Sequence, residues 1–217
     1  MNKNKIIEDT KKFVKESLRN AEGGHDWFHI QRVYNNAKHI ADTESADFFV
    51  VQLGALLHDI ADSKFHNGDE TLGPKIAVEF LTAQGVSDEV ITHVVRIIEN
   101  ISFKGGNEAQ KFRSLELDII QDSDRLDALG AIGIARTFNY GGFKGRLLYD
   151  PQIKPDLEMS KEIYKASTAP TINHFYEKLL LLKERMNTKT GRRIAEERHR
   201  YMEDFLNQFY AEWDGEK

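Results

Sequence analysis

The 217-residue chain contains no cysteine. Disulfides, thiolate metal sites and cysteine nucleophiles are therefore excluded. The absence is typical of proteins from a reducing compartment, so we expect a cytoplasmic location. Long apolar runs are missing too, because no stretch approaches the roughly 20 apolar residues of a membrane-spanning helix. We therefore expect no membrane partner.

The sequence also has no excess of basic charge. It carries 30 Lys and Arg against 35 Asp and Glu, for a formal net charge of −5 and a pI near 5.9. A general nucleic-acid binder or a protein of anionic membrane surfaces would show the opposite balance. The composition predicts no nucleic-acid partner but leaves room for a local basic pocket that binds a small anion.

The sequence also lacks the extended alternation of polar and apolar residues that is typical of strands. Nearly everywhere the apolar residues recur at helical spacing instead. Phe48 to Ile60 is apolar on nearly all sides, which predicts a central buried helix whose Gly54 allows close helix approach. We predict one all-α domain over residues 1–217, with helices of a C-terminal extension over about 158–214. Two of these helices are predicted around "INHFYEKLLLLKERM" and "GRRIAEERHRYMEDFLNQFYAEW". The apolar stripe of this extension packs on its own domain or on a dimer mate, so a homodimer is left open. That stripe comprises Ile194, Tyr201, Phe205 and Phe209.

Two segments rich in glycine and lysine, "SFKGGN" and "NYGGFKGR", are predicted as loops. The first offers Lys104 and open backbone N–H groups, an arrangement that can bind an anion. The second is interpreted either as a flap over a substrate or as an ordinary flexible loop.

The segment "ALLHDIAD" places His58 and Asp59 side by side in an apolar helix, with Asp62 three residues further on. Buried charged groups cost several kcal/mol unless they are paired, hydrogen-bonded or bound to a metal. One interpretation is a helix end at which the histidine favours the dipole and the aspartates are solvated. The other is a metal site, to which His29, on the inward stripe of the preceding helix, would contribute.

The segment "IIQDSDRLDALG" places three acids at one apolar helix face, with Asp122 on the inward stripe and Asp124 and Asp127 beside it. Unless compensated, they would repel one another and cost burial energy. One divalent cation would satisfy these carboxylates together with the histidines. A mixed nitrogen and oxygen set suits Mn²⁺, Fe²⁺, Co²⁺ or Zn²⁺ better than Ca²⁺. We expect one such ion, with Mn²⁺ favoured and Mg²⁺ as a further alternative.

The ordered segments "GHDWFHIQRV", "ALLHDIAD" and "QDSDRLDA" resemble the H…HD…D pattern of the HD superfamily of metal-dependent phosphohydrolases. The resemblance covers about residues 25–129, which would form the metal-site core, and it implies an all-helical fold. In the family the final aspartate typically precedes a small residue and leucine, or Arg-Leu as in "SDRL" here. The resemblance therefore implies four metal ligands: His29, His58, Asp59 and Asp124.

The acid three residues after the HD pair is often catalytic in this family, and here it is Asp62. The wider pattern is similar to a compact bacterial branch of single-domain HD hydrolases, some of which act on nucleoside triphosphates. The resemblance therefore implies a small-molecule nucleotide substrate, with pyrophosphate release from a triphosphate as the first choice. A 5′-nucleotidase acting on monophosphates is one alternative. A non-catalytic helical regulatory or binding module is the other.

Three cations are candidates for binding substrate phosphate. Arg32 lies one helical turn after His29, Lys64 follows Asp62, and Lys104 lies in the first glycine-rich loop. Each could equally be a solvated surface cation. The pair His25 and Asp26 is expected to cap or orient the helix that carries His29.

Overall fold

The computed structural model describes residues 2–19, 26–61, 69–101, 112–159 and 167–217. Within these ranges the regular structure is helical and includes no strand, which confirms the predicted all-α class. None of the helices in these ranges has an apolar stretch long enough to cross a bilayer. There are nine α-helices there: α1 Lys3–Ser17, α2 Trp27–Ala41, α3 Phe48–Leu57, α4 Leu72–Ala83, α5 Asp88–Asn100, α6 Leu115–Leu126, α7 Gly130–Phe143, α8 Asn173–Glu177 and α9 Lys189–Trp213.

The chain divides into two compact units, Met1–Ser123 and Asp124–Lys217. Helix α6 runs from the first unit into the second. The single HD-type domain over residues 1–217 and the homodimer both remain predictions.

Helix α3 is the centre of the first unit, where it packs against α1, α2 and α5. It is buried along its whole length except at Phe48 and Gln52, as the apolar sequence predicted. The Asp47 carboxylate begins the helix by accepting hydrogen bonds from the backbone N–H groups of Phe49 and Val50, at 2.9 and 3.2 Å. This cap satisfies donors that have no partner within the helix.

Helix α3 ends at Leu57, three residues before the predicted end. The backbone N–H of Ile60 donates to the Leu57 carbonyl at 3.2 Å, an i to i+3 bond that tightens the chain into a turn. His58 keeps helical backbone angles of −58° and −33° as the first residue after the helix. The HD pair therefore lies in a turn at the buried end of α3.

In the second unit, α7 packs against α9 through aromatic side chains. The ring centroid of Phe138 lies 5.9 Å from that of Phe205 and 6.4 Å from that of Phe209. These two residues of the predicted C-terminal stripe therefore pack within their own unit, whereas Tyr201 is exposed.

The C-terminal helices differ from the prediction in one place. Sequence periodicity predicted one helix around "INHFYEKLLLLKERM", but α8 ends at Glu177 and a 3₁₀-helix follows over Leu179–Arg185. Lys178, between them, has backbone angles of −144° and −56°, which no helix uses. Apolar spacing alone does not reveal such a break, because the residues on both sides keep a buried face.

The prediction of a loop at "NYGGFKGR" is wrong for its first half, because residues 139–143 form the last turn and a half of α7. A Cβ on Gly141 would collide with the side chain of Thr171, so this glycine permits close packing. The turn that follows is held by the backbone N–H of Thr171, which donates to the Leu147 carbonyl at 2.9 Å. The other predicted loop, "SFKGGN", lies outside the described residues.

Gly54 permits the close approach of α3 to α6, as predicted. A Cβ at this position would lie 2.6 Å from Cδ1 of Ile120 and 3.4 Å from Cδ1 of Ile97. The distance to Ile120 is far below van der Waals contact, so a side chain at this position would have to push Ile120 away.

We expect Gly54→Val to lower the free energy of unfolding by about 1–3 kcal/mol, the usual cost of overpacking a core. The measurement is urea-induced unfolding followed by circular dichroism. The control is Gly73→Ala in α4, where the new methyl would meet neighbours no closer than 3.6 Å and stability should hold or rise slightly. Equal stability of Gly54→Val and wild type would show that α3 and α6 do not pack this closely.

Candidate metal centre

Three side chains of the first unit converge at the buried end of α3. His29 comes from the first turn of α2, and His58 and Asp59 follow the last residue of α3. One ligand atom from each of the three lies within 4.8 Å of the other two. We call this group the His–His–Asp cluster. Both histidines are buried and the aspartate is partly buried.

His29 is held in place by the cap of its own helix. The Asp26 carboxylate accepts a hydrogen bond from the backbone N–H of His29 at 2.9 Å, which confirms the predicted capping role of Asp26. Because a cap fixes the first helical turn, it also fixes the backbone position from which the His29 side chain extends.

The ring of His58 is oriented by a backbone carbonyl. Its Nδ1 lies 2.9 Å from the carbonyl oxygen of Ala55, which can only accept a hydrogen bond. Nδ1 therefore carries the proton, and in the neutral ring the lone pair is on Nε2, which lies 3.7 Å from Oδ2 of Asp59. Histidine ligands of metals are usually oriented in this way, through the nitrogen that does not bind the ion.

The spacing of the cluster distinguishes a metal site from a simple hydrogen-bonded pair. Nε2 of each histidine lies 3.7 Å from Oδ2 of Asp59, which is too long for a hydrogen bond. Two ligands bound to one ion at about 2.1 Å lie about 3–4 Å apart. The donor atoms, two imidazole nitrogens and one carboxylate oxygen, also suit a divalent transition metal. The cluster therefore fits a metal centre in both distance and chemistry.

Comparisons with known proteins identify the family of this chain. The family model of the HD domain matches residues 27–129. The protein YpgQ of Bacillus subtilis is 37% identical over 212 residues, which cover 97% of this chain and 95% of YpgQ. The chain belongs to the HD superfamily. A crystal structure of an HD-superfamily hydrolase from Bacillus thuringiensis is 45% identical, with a TM-score of 0.81, and the match covers 99% of this chain and 100% of that one.

The similarity to HD-superfamily hydrolases identifies the protein as a hydrolase. The crystal structure of YpgQ in complex with ADP matches with a TM-score of 0.76 and 33% identity. That match covers 98% of this chain and 97% of YpgQ. The segment matched by the HD-domain model contains His29, His58 and Asp59.

The remaining predicted site residues are placed as follows. Asp124 lies in the last turn of α6, is partly buried and is the first residue of the second unit. Arg32 is partly buried in α2. Asp62, Lys64 and Lys104 lie outside the described residues. The roles of all five remain predictions.

The two other acids of the α6 segment are both fully buried. Asp122 lies on the inward stripe, as predicted. Asp127 is neutralised by an ion pair, because Nη1 of Arg136 lies 2.6 Å from its Oδ2. The burial of the Asp127 carboxylate is therefore accompanied by a cationic partner on the next helix. Sequence reasoning missed this pair, since nothing in the local pattern links Asp127 to an arginine on the next helix.

We expect Mn²⁺ to raise the melting temperature of the wild-type protein, because an ion that binds only the folded state stabilises it. Asp59→Asn keeps the shape of the side chain and removes the charge, so it should weaken Mn²⁺ binding at least tenfold and abolish most of the shift. The measurement is thermal unfolding of the metal-free protein with Mn²⁺ added stepwise. Asp42→Asn, at an exposed position, is the control and should behave as wild type. An undiminished shift in Asp59→Asn would place the metal elsewhere.

Proposed function

We propose that this HD hydrolase is a metal-dependent phosphohydrolase of nucleotides, and that it cleaves nucleoside triphosphates with release of pyrophosphate. The observation that carries the proposal is the His–His–Asp cluster, with its two 3.7 Å spacings. Asp124 is proposed as the fourth ligand and Mn²⁺ as the preferred ion. The crystal structure of the relative YpgQ with ADP supports a nucleotide as the ligand.

A divalent cation at this cluster would polarise a phosphoryl group and lower the pKa of an attacking water. The chain itself would supply the remaining functions. The carboxylate of Asp62 orients the water and takes its proton, as a general base. Arg32, Lys64 and Lys104 donate hydrogen bonds to the phosphates and offset the negative charge that grows on the leaving group.

The test is a screen of nucleoside mono-, di- and triphosphates with metal-free protein reconstituted separately with Mn²⁺, Fe²⁺, Co²⁺, Zn²⁺ and Mg²⁺. Orthophosphate is measured with and without added inorganic pyrophosphatase, so that pyrophosphate release is counted separately. We expect triphosphates to yield pyrophosphate and the monophosphate, with the highest rate in Mn²⁺. A matched sample kept in a chelator should be inactive.

Two results would contradict the proposal. Orthophosphate from monophosphates alone would show a 5′-nucleotidase, and turnover of none of the nucleotides with any of the ions would exclude a nucleotide phosphohydrolase. The non-catalytic module that the sequence left open is not favoured, because the chain is similar over its full length to an HD-superfamily hydrolase.

Asp62→Asn should lower kcat by about 10²–10⁴-fold, the usual contribution of general acid–base catalysis. The amide keeps the shape of the carboxylate but cannot accept a proton, so Mn²⁺ affinity and KM should change little. The measurements are steady-state kinetics and Mn²⁺ titration of the same preparation, with Asp42→Asn as the control. Normal turnover with bound metal would remove Asp62 from the catalytic role.

A further inference from the structure

The turn that carries Asp124 is held by backbone hydrogen bonds of the i to i+3 type. The N–H of Asp127 donates to the Asp124 carbonyl at 3.1 Å, and the N–H of Leu129 donates to the Leu126 carbonyl at 3.1 Å. Such bonds tighten the end of a helix but leave carbonyl groups there that need further donors. The end of α6 obtains those donors from other helices of the second unit.

Two arginines cap the end of α6. Nη1 of Arg198, in α9, donates to the Leu126 carbonyl at 2.5 Å. Nη1 of Arg136, in α7, donates to the Asp127 carbonyl at 3.1 Å and to its carboxylate at 2.6 Å. A cationic donor at a helix carboxyl end satisfies the last carbonyls and interacts favourably with the helix dipole.

The path of the Arg198 side chain is made possible by a glycine. Gly130 has a φ of +70°, a region that side chains rarely adopt, and a Cβ there would lie 3.1 Å from Cγ of Arg198. The stem of Arg198 therefore packs directly on the backbone of the junction between α6 and α7. This packing holds the Arg198 side chain over the end of α6, in addition to its hydrogen bond to the Leu126 carbonyl.

We propose that Arg198 and Arg136 are positioning residues that hold the turn of Asp124 in the geometry in which that carboxylate binds the metal. The proposal rests on the proposed function, which makes Asp124 the fourth ligand. Both arginines lie beyond residues 27–129, the part matched by the HD-domain family model. The C-terminal helix would thus contribute to metal affinity without supplying a ligand.

A purely structural cap would affect folding alone, so metal affinity separates the two roles. Arg198→Met keeps the apolar stem that packs on Gly130 and removes the donor to the Leu126 carbonyl. Loss of a group that holds a metal ligand in place typically costs 10–100-fold in affinity. We therefore expect Arg198→Met to raise the dissociation constant for Mn²⁺ about tenfold or more.

The measurement is the dissociation constant for Mn²⁺, from the electron paramagnetic resonance signal of the free ion, together with the melting temperature of the metal-free protein. Arg198→Lys keeps a cationic donor but has a shorter reach, so its dissociation constant should lie between those of Arg198→Met and wild type. Arg200→Met is the control, since Arg200 is exposed on the same helix and should bind Mn²⁺ as wild type does.

Dissociation constants within twofold of wild type for both Arg198 variants would overturn the proposal, even if their melting temperatures fell. If Arg198→Met does not fold, an unchanged dissociation constant for Arg198→Lys overturns it alone. Asp124→Ala tests the ligand assignment separately. Wild-type Mn²⁺ affinity in Asp124→Ala would refute both Asp124 as a ligand and the positioning role of Arg198. Weakened Mn²⁺ binding in Asp124→Ala, with normal binding in the Arg198 variants, would refute the positioning role alone.

Discussion

The packing of α2 against α3 is the interaction on which the candidate site depends. His29 begins one helix and the HD pair ends the other, so the ligand atoms meet only because the helices run antiparallel, joined by residues 42–47. The apolar residues that hold them together, such as Ile30, Val33 and Leu56, are fully buried. Each such side chain contributes about 1.5–3 kcal/mol, which offsets the cost of burying polar ligands beside them.

Aspartates have three separate tasks in this protein. Asp26 and Asp47 cap the two helices of the site and satisfy backbone donors at their beginnings. Asp127 is buried in an ion pair with Arg136. Asp59 lies beside two imidazole nitrogens at distances too long for hydrogen bonds. The caps and the ion pair stabilise the scaffold. The spacing at Asp59 instead fits a metal ion shared with the two histidines.

The C-terminal helices belong to the architecture that the relatives share. The match to YpgQ covers 97% of this chain and that to the Bacillus thuringiensis hydrolase 99%, well beyond the segment that defines the HD domain. Within the second unit these helices pack through an aromatic cluster and place Arg198 on the end of α6. A helix beyond the HD-domain segment therefore contacts the last turn of α6, which includes Asp124.

The sequence by itself predicted the all-α class, the buried central helix, the family and the meeting of His29 with His58 and Asp59. The family came from the resemblance of the ordered motifs. The other predictions succeed because apolar periodicity shows which face of a helix is buried, and a polar residue on that face must have a partner. Periodicity does not show which neighbour the face meets. The break at Lys178 and the close contact at Gly141 therefore came only from the structure.

Within the site, too, only the tertiary structure decided the details that matter for chemistry. The hydrogen bond from His58 to the Ala55 carbonyl sets the tautomer of the ring, and the 3.7 Å spacings fit a shared ion. Outside the cluster, the pairing of Asp127 with Arg136 joins the turn after α6 to the following helix. Such distances and long-range pairs depend on how whole helices pack, and packing is a property of the complete chain that no local pattern records.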